Sequence, residues 1–210
     1  MQDLIILGTG VHALEMVEIV ERINRAAPTW NLLGLISADE KLAGQVLNGA
    51  PVLGTPDDLR KYPRAGLAPN LVDLKALGDV PVERMVSLVD PSTFISRTAV
   101  IGRGCVFYPN CFVGHNARVD DLVFVMTGSV INHDDRIASW TAITTGVKLA
   151  GSVTVEEGCY LGQGCNVRQL LTIGRNSMIG MGAVVVKDVA PNSVMAGNPA
   201  RKIRDQKTQG

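Results

Sequence analysis

Residues 143–179 read ITTGVKLAGSVTVEEGCYLGQGCNVRQLLTIGRNSMI, with an aliphatic residue at every sixth position: Ile143, Leu149, Val155, Leu161, Val167, Ile173 and Ile179. The same step runs back through Ile137, Ile131, Val125, Val119, Val113, Phe107, Ile101 and Ile95 to Val89, and forward to Val185. These are 17 consecutive hexads, of which only Phe107 is not aliphatic. Four residues after each comes a second series of small residues, including Thr93, Cys111, Ser129, Thr141 and Ser177, broken only by Asp135 and Leu171. A period of six is neither the helical 3.6 nor the alternation of a simple strand. It describes three short strands per 18-residue coil, the large residue filling a triangular interior and the small one sitting near each corner. Coils then stack at the strand spacing of about 4.8 Å. Gly102, Gly114, Gly162, Gly174 and Gly180 follow the aliphatic position, where the turn brings backbone against backbone. A β-sandwich with accidental spacing does not sustain so long an unbroken run.

Composition agrees with a solenoid. Aromatic residues are 4% of the 210, against 22 glycines, so the interior is filled by slim aliphatic side chains. Cys105, Cys111, Cys159 and Cys165 all occupy the small inward position and read as buried apolar residues, without metal-binding spacing. Lys plus Arg equals Asp plus Glu, 20 against 20, and no block of like charge occurs, which makes nucleic acid and anionic membrane poor partners. No apolar run reaches the roughly 18 residues that span a bilayer, and MQDLIILGTG lacks the basic start of a signal peptide, so a cytoplasmic protein without membrane insertion is expected.

Ahead of the repeats, residues 3–7 read as a buried strand and Gly8-Thr9-Gly10 as a tight turn. Leu14, Val17, Val20 and Ile23 then give helical spacing from Val11 to about Arg25. Strand, glycine turn and helix open a Rossmann-like βα unit whose helix N-terminus can hold a phosphate. A second strand is predicted near Asn31–Ser37, then Val52-Leu53-Gly54 and a helix start at Thr55-Pro56-Asp57-Asp58-Leu59. The stretch from Tyr62 to Arg84 is punctuated by proline and resists assignment. A small α/β domain over 1–86 and a β-helix domain with a C-terminal tail over 87–210 are the expected division.

The chain has three histidines, His12, His115 and His133. The last two are 18 residues apart, both two residues past an inward aliphatic position, and so face outward one coil apart on one corner; the next member of the column is Gly151. Ser-Val-Ile-Asn-His-Asp at 129–134, Gly-Val-Lys-Leu-Ala-Gly at 146–151, Val-Arg-Gln at 167–169 and Ala-Gly-Asn-Pro-Ala-Arg at 196–201 carry a resemblance. The chain resembles the bacterial sialic-acid O-acetyltransferase and PglD-type nucleotide-sugar N-acetyltransferase family over nearly its full length.

That resemblance implies a left-handed parallel β-helix, acetyl-CoA as co-substrate, a sugar acceptor and a homotrimer. It makes His133 the general base and Asp134 the group that orients it and raises its basicity. The chemistry suits them, because attack on a thioester by an amine or hydroxyl needs a proton removed as the bond forms. Gly151 would supply a backbone donor for the oxyanion and leave room for the thioester. Ala142, Gln163 and Met181 take the family's acetyl-CoA positions, Ala142 standing where relatives often carry a histidine. On the acceptor side Gly10, Val11 and His12 match a Gly-Gly-His turn, Ser37 and Ala38 replace two acidic residues after the second strand, and Gly78 belongs to a third nucleotide-contacting turn, while His115 reads either as a residue of the acceptor pocket or as a surface histidine. Two other readings stand beside this one. A γ-type carbonic anhydrase shares the fold but needs three histidines in and beside the coils, where only His115 and His133 fall, so no metal is expected. A non-catalytic β-helix scaffold would not bind acetyl-CoA.

Overall fold

The computed structural model describes residues 1–70 and 81–206. The chain divides into two compact units, one of Met1–Pro91 with Arg103–Val106, the other of Ser92–Gly102 with Phe107–Gly210.

The first unit is built on a sheet of order β3-β4-β2-β1-β5, with β1 at Gln2–Leu7, β2 at Trp30–Ile36, β3 at Val46–Leu47, β4 at Ala50–Gly54 and β5 at Gly66–Pro69. β1 pairs in parallel with β2 and β5, β2 in parallel with β4, and β3 antiparallel to β4. Leu4 to Leu7 are fully buried, as expected for a central parallel strand covered on both faces. α1, Val11–Ala26, buries Ala13, Met16, Val17, Ile19 and Val20; of the spacing read from sequence, Val17 and Val20 are buried while Leu14 and Ile23 are only half-buried. Its Arg22 forms a two-pronged pair with the fully buried carboxylate of Asp90. The predicted helix at Thr55 is a 3-10 helix, Pro56–Lys61, closed at its start by a Thr55–Asp58 capping box and stopped short of Pro63. Part of the unassigned Tyr62–Arg84 stretch is β5, and Gly78 lies outside the described residues.

The second unit is a parallel β-solenoid. Every predicted aliphatic position from Ile95 to Val185, Phe107 included, is the second residue of a two-residue strand, and from Phe107 onward each is buried. The strands stack in parallel at 18-residue intervals into three walls. Wall A carries Phe94–Ile95, Phe112–Val113, Val130–Ile131, Lys148–Leu149, Asn166–Val167 and Val184–Val185. Wall B carries Val100–Ile101, Arg118–Val119, Arg136–Ile137, Thr154–Val155 and Thr172–Ile173. Wall C runs through Phe124–Val125, Ala142–Ile143, Tyr160–Leu161 and Met178–Ile179, then ends in Ser193–Ala196 and the antiparallel Arg201–Asp205.

Corners follow a second period of six. Asn110, Asn116, Leu122, Gly128, Asp134, Trp140, Gly146, Ser152 and Gly158 all have φ between 55° and 75°. Gly, Asn and Asp tolerate this left-handed region best, and Asp134 occupies it at the corner of interest. Gly114 serves the close stacking: a Cβ there would meet the backbone of Asn132 and His133 on the next rung. Among the described residues, no helix is long and apolar enough to cross a membrane.

Candidate active site

The edge between walls A and B is where the predicted catalytic residues fall. His115, His133 and Gly151 stand there on successive rungs, tied by backbone bonds from Asp134 N–H to His115 O and from Ser152 N–H to His133 O, 2.9 Å each. His133 is exposed, and its Nδ1 lies 3.0 Å from Asp134 Oδ2. With Nδ1–H donating to the carboxylate, Nε2 is left as the basic nitrogen. Asp134 sits in a left-handed turn, φ 61°, and its carboxylate meets the preceding imidazole.

Asp134's other oxygen, Oδ1, accepts from Asn116 Nδ2 at 2.7 Å. The His133 hydrogen bond, followed by that of Asn116, holds this carboxyl below the usual carboxylate range. Asn116 sits 18 residues before Asp134 and hence one rung below it, a spacing that is the one signal of it in the sequence. Arg136 completes the corner, its Nη1 donating to the carbonyl of Asn116 at 2.8 Å and to those of Asp134 and Asp135. His115 Nδ1 is 2.9 Å from Thr98 Oγ1, which places its ring on the same edge but partnered away from His133.

Gly151 is buried under the imidazole. A methyl group there would run into Cε1 and Nε2 of His133. Its neighbours Ala150 and Ser152 donate their amides to Val167 O and His133 O, whereas the Gly151 N–H has no acceptor among the described residues. Two shallow grooves flank this edge. One lies along wall A beside Asn132, Lys148, Ala150 and Arg168, and the other along wall B beside Arg118, Arg136, Thr154 and Arg175.

The predicted acetyl-CoA residues lie elsewhere on the prism. Gln163 and Met181 belong to the edge between walls C and A, Met181 being 75% exposed, and Ala142 belongs to wall C. The Ala142 amide is spent on Cys159 O at 2.9 Å, so it is not a free donor in place of a histidine. A single chain therefore does not bring these residues to His133.

In the first unit, Gly10, Val11, His12, Ser37 and Ala38 gather at the C-terminal ends of β1 and β2. Gly10 caps α1 without a side-chain bond, and Val11 is exposed. His12 Nδ1 lies 3.0 Å from Glu15 Oε2. Ser37 is buried, 3.2 Å from Thr9 Oγ1, and accepts from the Asp39 amide, while Ala38 is exposed. Among the described residues, no group of three or more His, Cys, Asp or Glu is placed to hold a metal ion.

A hexapeptide solenoid with a polar, ionisable edge defines a class, the hexapeptide-repeat β-helix proteins. No protein-family model matches the chain. The GDP-perosamine N-acetyltransferase of Escherichia coli O157:H7 is 26% identical over 216 aligned residues that cover 97% of each chain. The acetyltransferase domain of PglB from Neisseria gonorrhoeae, solved with acetyl coenzyme A, is 26% identical with a TM-score of 0.80, covering 96% of this chain and 99% of that one. A mutant GDP-perosamine N-acetyltransferase from Caulobacter crescentus, solved with CoA and GDP-perosamine, shares the fold at 23% identity and a TM-score of 0.80, over 98% of both chains. Over nearly its whole length, then, this chain is similar to sugar acetyltransferases.

Proposed function

We propose that this protein is an acetyl-CoA-dependent acetyltransferase acting on an amino or hydroxyl group of a sugar, nucleotide-linked, in glycan biosynthesis. The observation that carries the reading is the exposed His133–Asp134 pair standing over Gly151 on one edge of the solenoid. His133 Nε2 takes the proton from the acceptor nitrogen or oxygen as that atom attacks the thioester carbonyl. Asp134 stabilises the imidazolium that forms, and the Gly151 N–H donates to the carbonyl oxygen as it gains charge. The C–S bond then breaks, and His133 returns the proton to the departing sulfur. The relatives named above act on GDP-perosamine or were solved with acetyl-CoA or CoA, which supports the same donor and acceptor classes here.

The solenoid is read as left-handed and the first unit, residues 1–86 by the sequence division, as a Rossmann-like acceptor-binding domain. Its β1-α1-β2 crossover and the cluster of Gly10, Val11, His12, Ser37 and Ala38 at the sheet's C-terminal edge support that assignment. Ala142, Gln163 and Met181 would hold the donor along the C/A edge. Because that edge is not the one bearing His133, the site is completed by a neighbouring subunit in a homotrimer; the exposed, stacked Phe94 and Phe112 on wall A supply apolar surface for such contact. A cytoplasmic location is part of the same reading. A screen of nucleotide-linked amino sugars, read by released CoA thiol, tests the reading: one acceptor should support turnover that H133A lacks, and no release with any acceptor counts against it.

A further inference from the structure

Asp135 is the one acidic residue among the inward small positions of the 17 hexads, and its side chain is fully buried beneath the His133 corner. Elsewhere this position bonds through hydroxyls: Ser129 Oγ donates to Thr144 O, and Ser177 Oγ donates to Ala190 O while accepting from Ser193 N–H. At Asp135 both carboxylate oxygens accept from backbone. Oδ2 takes the amide of Asn132 at 2.6 Å, and Oδ1 takes the amide of Val153 at 2.8 Å. Asn132 immediately precedes His133, and Val153 stands two residues after Gly151. One buried carboxylate thus joins the rung that carries the imidazole to the rung that carries the glycine amide.

We propose that Asp135 is a positioning residue of the acetyl-transfer site, whose ionised carboxylate sets the spacing between the His133 ring and the Gly151 N–H. The inference rests on the acetyltransferase reading of that edge. Two backbone donors require both oxygens, which only the ionised form offers fully; a protonated carboxyl commits one oxygen to its own hydrogen. Burial pushes the Asp135 carboxyl up to about 7, against the pull of the Val153 and Asn132 amides. The charged side chains that act on it are those of His133, which favours ionisation, and Asp134, which opposes it. Arg136 and Arg118 reach Asp135 at its carbonyl oxygen, through a guanidinium and a backbone amide respectively. Serine or threonine at this position would carry no such electrostatic cost, and Ser129 and Ser177 show that the corner accommodates them.

The test compares D135N with the wild type from pH 5.5 to 8.5, using H133A as the reference for the site as a whole. Asn keeps the shape but mimics the protonated acid at every pH. The ratio of wild-type to D135N kcat should rise from about 1 at pH 5.5 to about 10 at pH 8.5, with KM for acetyl-CoA unchanged. Without substrates, the melting temperature of D135N should rise relative to wild type over the same range. A kcat ratio that is constant with pH, or equal to 1 throughout, overturns the proposal while leaving the catalytic reading intact if H133A is inactive. Full activity of H133A sinks the underlying reading instead. Should D135N not fold, D135S is put through the same comparison, and failure of both to fold assigns Asp135 to stability alone and overturns the proposal.

Discussion

The imidazole of His133 lies over Gly151 so closely that residue 151 has no room for a methyl group, one rung along the same edge. No left-handed backbone angle demands glycine at 151, so its side-chain-free state serves the imidazole and not the turn. G151A should therefore displace the ring without disturbing the coil. Because a misplacement near 1 Å costs about 10²-fold in rate, kcat should fall by that order. The exposed ring can swing outward, so the melting temperature should stay close to that of wild type; steady-state kinetics and thermal melts on one preparation check both.

N116A removes one of the two hydrogen bonds on Asp134 and leaves the carboxylate free to turn from His133. A drop in kcat of roughly fivefold is expected, the order for one charged hydrogen bond at a half-exposed site. Asp134 is held below the usual carboxylate range by His133 first and Asn116 second, so its stabilising contribution is present above the unfolded value near 3.9 and is lost only at lower pH. The acid limb of the wild-type rate profile between pH 5 and 8 consequently belongs to other groups, and N116A should not move it.

For Asp135 the sign is reversed. Desolvation raises the folded-state value to about 7, so the native protein binds more protons than the unfolded chain between about pH 4 and 7. Wild type should lose stability relative to D135N as pH rises through that window, by at most about 4 kcal/mol. Chemical denaturation of both proteins at pH 5 and pH 8 measures the difference.

M181A tests the second edge. Met181 is 75% exposed in the single chain and becomes useful only if the donor covers it. Its truncation should raise KM for acetyl-CoA roughly tenfold, the order for losing one buried Met side chain, with kcat unchanged. Light scattering should return three times the 22.4 kDa chain mass, and a monomer that is fully active would contradict a site completed by a neighbour.

The solenoid was legible because its inward position repeats without interruption, so each residue from Phe107 to Val185 that the step selects is also buried. The edge carrying His133 and Gly151 followed from the same arithmetic. Asn116 and Asp135 were not legible as site residues, since their roles depend on which oxygen meets which amide across rungs. Asp135 showed only as a break in the small series. In the first unit, the turn at Asn48 and Gly49, both with positive φ, joins strands too short to leave a periodic signal. β5 was hidden because Gly66–Pro69 is short, buried throughout and ends in proline. Thr55-Pro56 announced a helix correctly at its start, but spacing alone did not show it would stay a single 3-10 stretch.

H133A tests most directly whether His133 is the base of a group transfer on this edge, when turnover and acetyl-CoA affinity are read together. A fall of ~10²–10⁴-fold in kcat with calorimetric acetyl-CoA affinity unchanged is the predicted result. Undiminished turnover in the folded variant would contradict it.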